Sequence, residues 1–118
     1  DVFGDILCNN LTELSDRKIK KDINKINNPT LLLKRLNGVT YKYNQENLLE
    51  RKLDNKLHYG FIAQDVLNVI PEIVSQNSNG LLSIDYNEII PLLIETIKEQ
   101  AEKIENLENR VNKLEVKK

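Results

Sequence analysis

A heptad pattern of apolar positions occupies the C-terminal part of the sequence. Its a and d positions, spaced alternately by three and four residues, are Ile90, Leu93, Ile97, Gln100, Ile104, Leu107, Val111 and Leu114. Four such heptads predict one helix that begins at about Asn87. At 1.5 Å per residue the helix would run roughly 45 Å, more than a body of about 85 residues can cover. We therefore expect this heptad seam to face copies of the same chain.

The heptads leave the number of helices open between two and three. Ile at a with Leu at d favours parallel dimers, whereas the polar Gln100 in a d layer can fix either register or number. Basic g positions precede acidic e positions by five residues, as in Lys103 with Glu108 and Arg110 with Glu115. That spacing suits neighbouring helices that run parallel.

Short alternating patterns predict strands in the middle of the chain. Val39, Tyr41 and Tyr43 alternate with polar residues, which is typical of a strand with one buried face. A second strand is predicted over His58–Ile62. Between residues 74 and 85, two apolar runs flank an Asn-Ser-Asn-Gly turn, which predicts a hairpin. The charged residues 45 to 57 between the first two strands read as a surface excursion.

Helices are predicted on both sides of the first strand pair. One spans Thr30–Leu36, after Pro29, and should end at Asn37 and Gly38, which tolerate a left-handed backbone. Another runs from about Gln64 to Val69, before Pro71.

The N-terminal quarter gives weaker signals. Alternating apolar positions within residues 1 to 14 predict one or two short strands. In residues 15 to 28, Ile19, Ile23 and Ile26 are spaced four and three apart, which predicts one or two helical turns with a narrow buried stripe. With the long helix, these patterns define an α+β chain.

Composition adds limits on size and function. The 118 residues allow one domain and one extended element, and the absence of Met indicates a piece of something longer. A net charge of -1 gives no electrostatic footprint for nucleic acid or an anionic membrane. Six aromatic residues and no Trp are few for a self-sufficient core. We expect contacts from outside the monomer to complete it.

Single copies of the usual metal ligands argue against metal chemistry. Cys8 is the only cysteine and His58 the only histidine, so neither a disulfide within the chain nor a Cys or His cluster can form. We expect no metal and no cofactor. The longest apolar run, Ile89–Ile94, is far too short to span a bilayer, and no signal pattern precedes it.

Four short motifs, in a fixed order, carry a resemblance to a known family. They are SDRKIKKDI at 15–23, LNGVTY at 36–41, GFIAQDV at 60–66 and LSIDY at 82–86, followed by PLLI at 91–94 and the heptads. In this order they resemble the C-terminal intramolecular chaperone domain of phage endosialidase tailspikes and tail fibres. A related autoprocessing domain lies in the myelin regulatory factor. The resemblance covers residues 15 to about 110.

The resemblance implies a module that trimerises and helps fold an upstream fibrous protein, then cuts itself away. Residues 1–14 would be the end of the upstream fibre or spike, 15–86 the chaperone head, and 87–118 the helix of a parallel trimeric coiled coil. The upstream domain of the same chain would be the folding client. Such a protein is virus-encoded, acts in the host cytoplasm during virion assembly, and leaves its chaperone fragment outside the mature particle.

The resemblance also assigns a single-turnover serine endopeptidase with a Ser-Lys dyad. The nucleophile falls on Ser15, the base on Lys20 and the cut on the Leu14–Ser15 bond. A lysine serves as a base when its amine is neutral, which burial or neighbouring cations favour. On a helix, five residues turn the chain about 140° away from the Ser15 direction, and on a strand an odd spacing reverses the face. Either this stretch bends, or Lys20 comes from another subunit; Lys18 is the competing base on a helical face.

For other residues of the motifs, the sequence allows either a role in the cleavage site or a purely structural role. Asp16 and Arg17 either order the cleavage loop or cap it, and Ser15 itself is a good helix N-cap. Gln64 either helps to hold an oxyanion or anchors the backbone. Asp65 is expected at the surface or in an interface.

Two other functions compete with self-cleavage. One is a structural trimerisation cap that never cuts. The other is the autoprocessing domain of a membrane-bound transcription factor, which requires a DNA-binding domain upstream and a membrane span downstream.

Overall fold

The structure is a computed structural model that describes residues 12–117. The helices in this range are α1 (Pro29–Lys34), α2 (Ala63–Leu67) and α3 (Ile89–Val116). The strands are β1 (Val39–Tyr41), β2 (His58–Gly60), β3 (Val74–Gln76) and β4 (Leu82–Ile84). Short 3-10 turns lie at Arg17–Ile19, Pro71–Ile73 and Tyr86–Glu88. The α+β fold and the long C-terminal helix are confirmed.

Strands β1 and β2 form an antiparallel pair in which Val39 lies opposite Gly60 and Tyr41 opposite His58. Both predicted strands exist but are shorter than predicted. Tyr43 was expected to continue the buried face, and this is wrong: it lies beyond β1 and is 39% exposed. Its ring instead packs edge-on against Tyr41, with the centroids 5.5 Å apart. Residues 45 to 57 form the surface excursion.

Strands β3 and β4 form the predicted hairpin. Val74 pairs with Ile84 and Gln76 with Leu82. Gly80 has a φ of 80°, a left-handed conformation that a residue with a Cβ rarely adopts. The side chain of Asn77 accepts the backbone N–H of Leu81 at 2.9 Å, which closes the turn.

Helix α1 occupies the predicted place, but its end differs from the prediction. Neither Asn37 nor Gly38 has a positive φ. The N–H groups of Arg35 and Leu36 instead bond to the carbonyls of Leu32 and Leu33 at 3.1 and 3.0 Å. This 3-10 closing turn satisfies carbonyls at the end of the helix, so a left-handed residue is not needed there.

The buried stripe predicted for residues 15 to 28 is wrong for two of its three members, since only Ile26 is partly buried. Ile19 and Ile23 are 64% and 57% exposed. The only helical turn here is the 3-10 turn, because the backbone is already extended at Lys20, with φ -111° and ψ 147°, and is left-handed at Asp22, with a φ of 54°. The strands predicted within residues 1 to 14 fall almost entirely outside the described residues.

The core joins the head to the start of α3. Among the described residues, its buried members are Val66 from α2, Ile73 from the second 3-10 turn and Ile89 from α3. Phe61 and Ile84 pack against them. So small a core fits the expectation, from the few aromatic residues, that a single chain is thinly packed.

Gly60 stands where two parts of the head approach closely, and Gly60→Ala should destabilise the fold. A Cβ at this position would lie 2.7 Å from the hydroxyl of Tyr86, which accepts the N–H of Phe61 at 3.1 Å. We expect a loss of about 1–3 kcal/mol in the free energy of unfolding, measured by denaturant titration. Gly38→Ala is the matched control, since a Cβ there meets nothing within 4 Å. Equal losses in the two variants would contradict this account.

Candidate functional site

Ser15 and Lys20 meet within one chain. The Nζ of Lys20 lies 2.5 Å from the Oγ of Ser15, and both side chains are exposed. Neither a regular helix nor a strand could bring them together, so the sequence left a choice between a bend and a second subunit. The structure contains the bend, formed by the 3-10 turn Arg17–Ile19.

Asp16 shapes this bend. Its carboxylate accepts the N–H of Lys18 at 2.9 Å, and its carbonyl accepts the N–H of Ile19 at 3.1 Å. The N–H of Lys20 then bonds to the carbonyl of Arg17 at 3.1 Å. Asp16, and not Ser15, is therefore the N-cap of the turn, which leaves the Ser15 hydroxyl available to Lys20.

The other candidate residues lie apart from this pair. In the described part of the chain, no hydrogen bond joins Lys18 or Gln64 to Ser15 or Lys20, and the Lys18 contact is made by its backbone. Gln64 is an exposed residue of the first turn of α2, and Arg17 is exposed in the 3-10 turn.

A contact that the sequence analysis missed lies on the other side of the predicted cut. The side-chain amide of Asn87 donates a hydrogen bond to the carboxylate of Glu13 at 2.9 Å. These residues are 74 positions apart. No local pattern could have paired them, because the contact exists only once the head has folded onto the start of α3.

Helix α3 presents two different faces. Ile89, Leu92 and Thr96 are buried, so this face packs on the head. The exposed fraction of the apolar residues in the heptad seam ranges from 44% for Leu93 to 64% for Leu114. At about 100° per residue, the first heptad of the seam, Ile90 and Leu93, is centred about 100° around the helix from the buried face. The head therefore leaves the heptad seam uncovered.

Glu99 fixes α1 against α3 without using the seam. Its carboxylate accepts both the N–H and the hydroxyl of Thr30, at 3.2 and 2.6 Å. These hydrogen bonds lower the pKa of Glu99, because they stabilise the charged form. Glu99 is a c position of the heptads, so this contact lies outside the heptad seam.

Residues 12–117 contain no group of three or more His, Cys, Asp or Glu side chains placed to hold a metal ion. Their helices include none with the length and apolar character needed to cross a membrane.

Comparison with known proteins identifies the class to which this site belongs. Residues 15–75, which include Ser15, Lys20 and the head through the start of β3, match the chaperone of endosialidase family, also named peptidase S74. The chain belongs to this family, and the resemblance seen in its motifs is confirmed. Membership supports a chaperone role and a relation to peptidases.

Two curated relatives are long tail fibre proteins Gp37 of phages. The protein of Salmonella phage S16 is 32% identical over 94% of this chain, and that of Escherichia phage AR1 is 36% identical over 72% of it. The aligned parts are only 15% and 8% of those fibre proteins. These relatives indicate that the chain is virus-encoded.

Proposed function

We propose that this chain is an intramolecular chaperone that trimerises an upstream fibrous segment of its own polypeptide and then releases itself by cutting Leu14–Ser15. The contact between Lys20 and Ser15 is the observation that carries the cutting step. The relatives named as long tail fibre proteins support a fibre as the client. Residues 1–14 are then the end of the fibre, 15–86 the head and 87–118 the trimerisation helix.

The cut proceeds through an ester. The Oγ of Ser15 attacks the carbonyl carbon of Leu14 while the neutral amine of Lys20 takes the hydroxyl proton. The C–N bond breaks, and the Ser15 nitrogen receives the proton from Lys20. Water then hydrolyses the ester, which leaves a carboxylate on Leu14 and frees the Ser15 hydroxyl. Each chain performs this reaction once, and neither a metal nor a cofactor takes part.

The heptad seam forms the assembly. Its apolar side chains face away from the head, so three parallel copies of α3 can bury them against one another while the heads stay outside. The heptads alone allow two or three helices, and the family resemblance favours three. The seam residues of α3 from Ile97 to Leu114 are exposed in the single chain, which supports a partner of this kind.

Assembly and cutting are linked through burial of the dyad. In the single chain Ser15 and Lys20 are exposed. Neighbouring heads in the trimer cover the pair and favour the neutral amine that the reaction needs. The chaperone acts in the host cytoplasm during virion assembly, and its fragment is absent from the mature particle; neither nucleic acid nor a membrane is a partner of this segment.

Incubation of the 118-residue chain tests both parts of the proposal. Mass spectrometry should find a product that begins at Ser15 and a peptide that ends at Leu14, and sedimentation equilibrium should give the mass of three chains. A trimer that stays uncut would indicate a structural cap instead. A monomer at micromolar concentration would contradict the assembly.

A further inference from the structure

The bond between Leu14 and Ser15 lies between two anchored residues. On its C-terminal side, Ser15 contacts Lys20 at 2.5 Å. On its N-terminal side, the carboxylate of Glu13 accepts the amide of Asn87 at 2.9 Å. The side chains of residues 12 to 25 are exposed, so burial does not hold this segment in place. Specific contacts such as these two must position the bond.

Asn87 lies at the foot of the long helix. It belongs to the 3-10 turn Tyr86–Glu88, which leads directly into α3 at Ile89. The first residue of the heptad seam, Ile90, is three positions further on. The contact with Glu13 therefore joins the segment that is cut to the element that assembles.

We propose that Asn87 is a positioning residue for self-cleavage, which holds the Leu14 carbonyl in reach of Ser15 by binding the carboxylate of Glu13. This inference rests on the proposed function. When Glu13 is bound to Asn87, Leu14 is the single residue between two anchored residues, Glu13 and Ser15. The Leu14 carbonyl therefore samples few orientations. Without the contact, the carbonyl spends less time in a geometry that Ser15 can attack, and a misplacement of about 1 Å can cost a reaction roughly a hundredfold in rate.

An exchange of charge between the two residues tests this role. Asn87→Asp places a carboxylate against that of Glu13 and should slow cleavage by roughly tenfold to a hundredfold. An aspartate just before a helix is favourable with its dipole, so the fold should tolerate it. Adding Glu13→Gln supplies an amide that donates to the new carboxylate, and the double variant should regain the wild-type rate within a few-fold. A purely structural asparagine would not be rescued by a change at residue 13.

Controls separate positioning from assembly. Glu88→Gln alters one charge in the same turn, at a side chain without a hydrogen bond among the described residues, and should cut normally. Sedimentation of each variant checks that the trimer persists. If Asn87→Asp disturbs assembly, Glu13→Ala becomes the deciding variant, because Glu13 lies outside the head and α3, and it should also cut slowly.

The outcomes distinguish this inference from the proposed function. If the wild type cuts and an assembled Asn87→Asp variant cuts equally fast, the positioning role of Asn87 is overturned and the proposed function stands. A double variant that stays as slow as Asn87→Asp, or Glu13→Ala at the wild-type rate, would have the same meaning. Wild type that remains uncut would overturn the proposed function, and the positioning role with it.

Discussion

Ser15→Ala and Lys20→Ala should each leave an assembled chain that no longer cuts at Leu14–Ser15. Alanine at residue 15 removes the nucleophile, and at residue 20 it removes the base, whose contribution is on the order of 10²–10⁴-fold in rate. Both side chains are exposed, so their truncation leaves no cavity. Denaturing electrophoresis should show the intact chain only, while the trimer mass and the melting temperature stay unchanged.

Two further lysine variants identify the base. Lys20→Arg keeps the positive charge but cannot supply a neutral amine, so it should also remain uncut. Lys18→Ala should cut at nearly the wild-type rate, because only the backbone of Lys18 takes part in the turn.

Each alternative result has a definite meaning for the mechanism. An active Lys20→Ala with an inactive Lys18→Ala would move the base to Lys18. Normal cleavage in both would show that no lysine is needed, and strain-driven transfer of the Leu14 acyl group to the Ser15 hydroxyl would remain.

The elements that the sequence predicted well are those specified by local patterns. The heptads specify α3 because the apolar spacing of a helix is repeated over four heptads. The Asn-Gly turn specifies the β3–β4 hairpin because glycine, here Gly80, adopts a left-handed backbone at little cost. Both depend on neighbours in sequence. The contact between Ser15 and Lys20 is also local, but the sequence pattern left open whether a bend or a second subunit makes it, and the 3-10 turn supplies the bend.

The failures involve residues whose place depends on distant contacts. Ile19 and Ile23 have helical spacing, but no surface of the head covers them in the single chain. Apolar spacing reports which residues could share a face, and burial requires something to pack against that face. Likewise, nothing near Glu13 in the sequence indicates Asn87, since that contact follows from how the head meets α3.

The double variant Ile97→Asp and Ile104→Asp should dissociate the assembly into monomers. Both residues lie in the heptad seam, at 63% and 56% exposure in the single chain. In an assembled coiled coil each copy would bury two carboxylates without partners, at a cost of several kcal/mol per charge. Sedimentation equilibrium measures the loss directly.

A matched control places the same two charges elsewhere on the helix. Asn109 and Asn112 occupy f and b positions, outside the seam. The double variant Asn109→Asp and Asn112→Asp should therefore remain a trimer. If the Ile97 and Ile104 variant stays trimeric, the heads hold the assembly and the seam is secondary.

The same seam variant should also lose cleavage, although Ser15 and Lys20 are intact. A chaperone that cut before its client had assembled would release an unfinished fibre, so the dyad should work only when neighbouring copies cover it. Mixing the variant with wild type separates two cases. If the variant chain were cut at the wild-type rate without joining wild-type trimers, one folded chain would be enough to form an active cleavage site. If it is cut only where it joins wild-type trimers, burial by neighbours is the step that makes Lys20 a base, and assembly itself times the release.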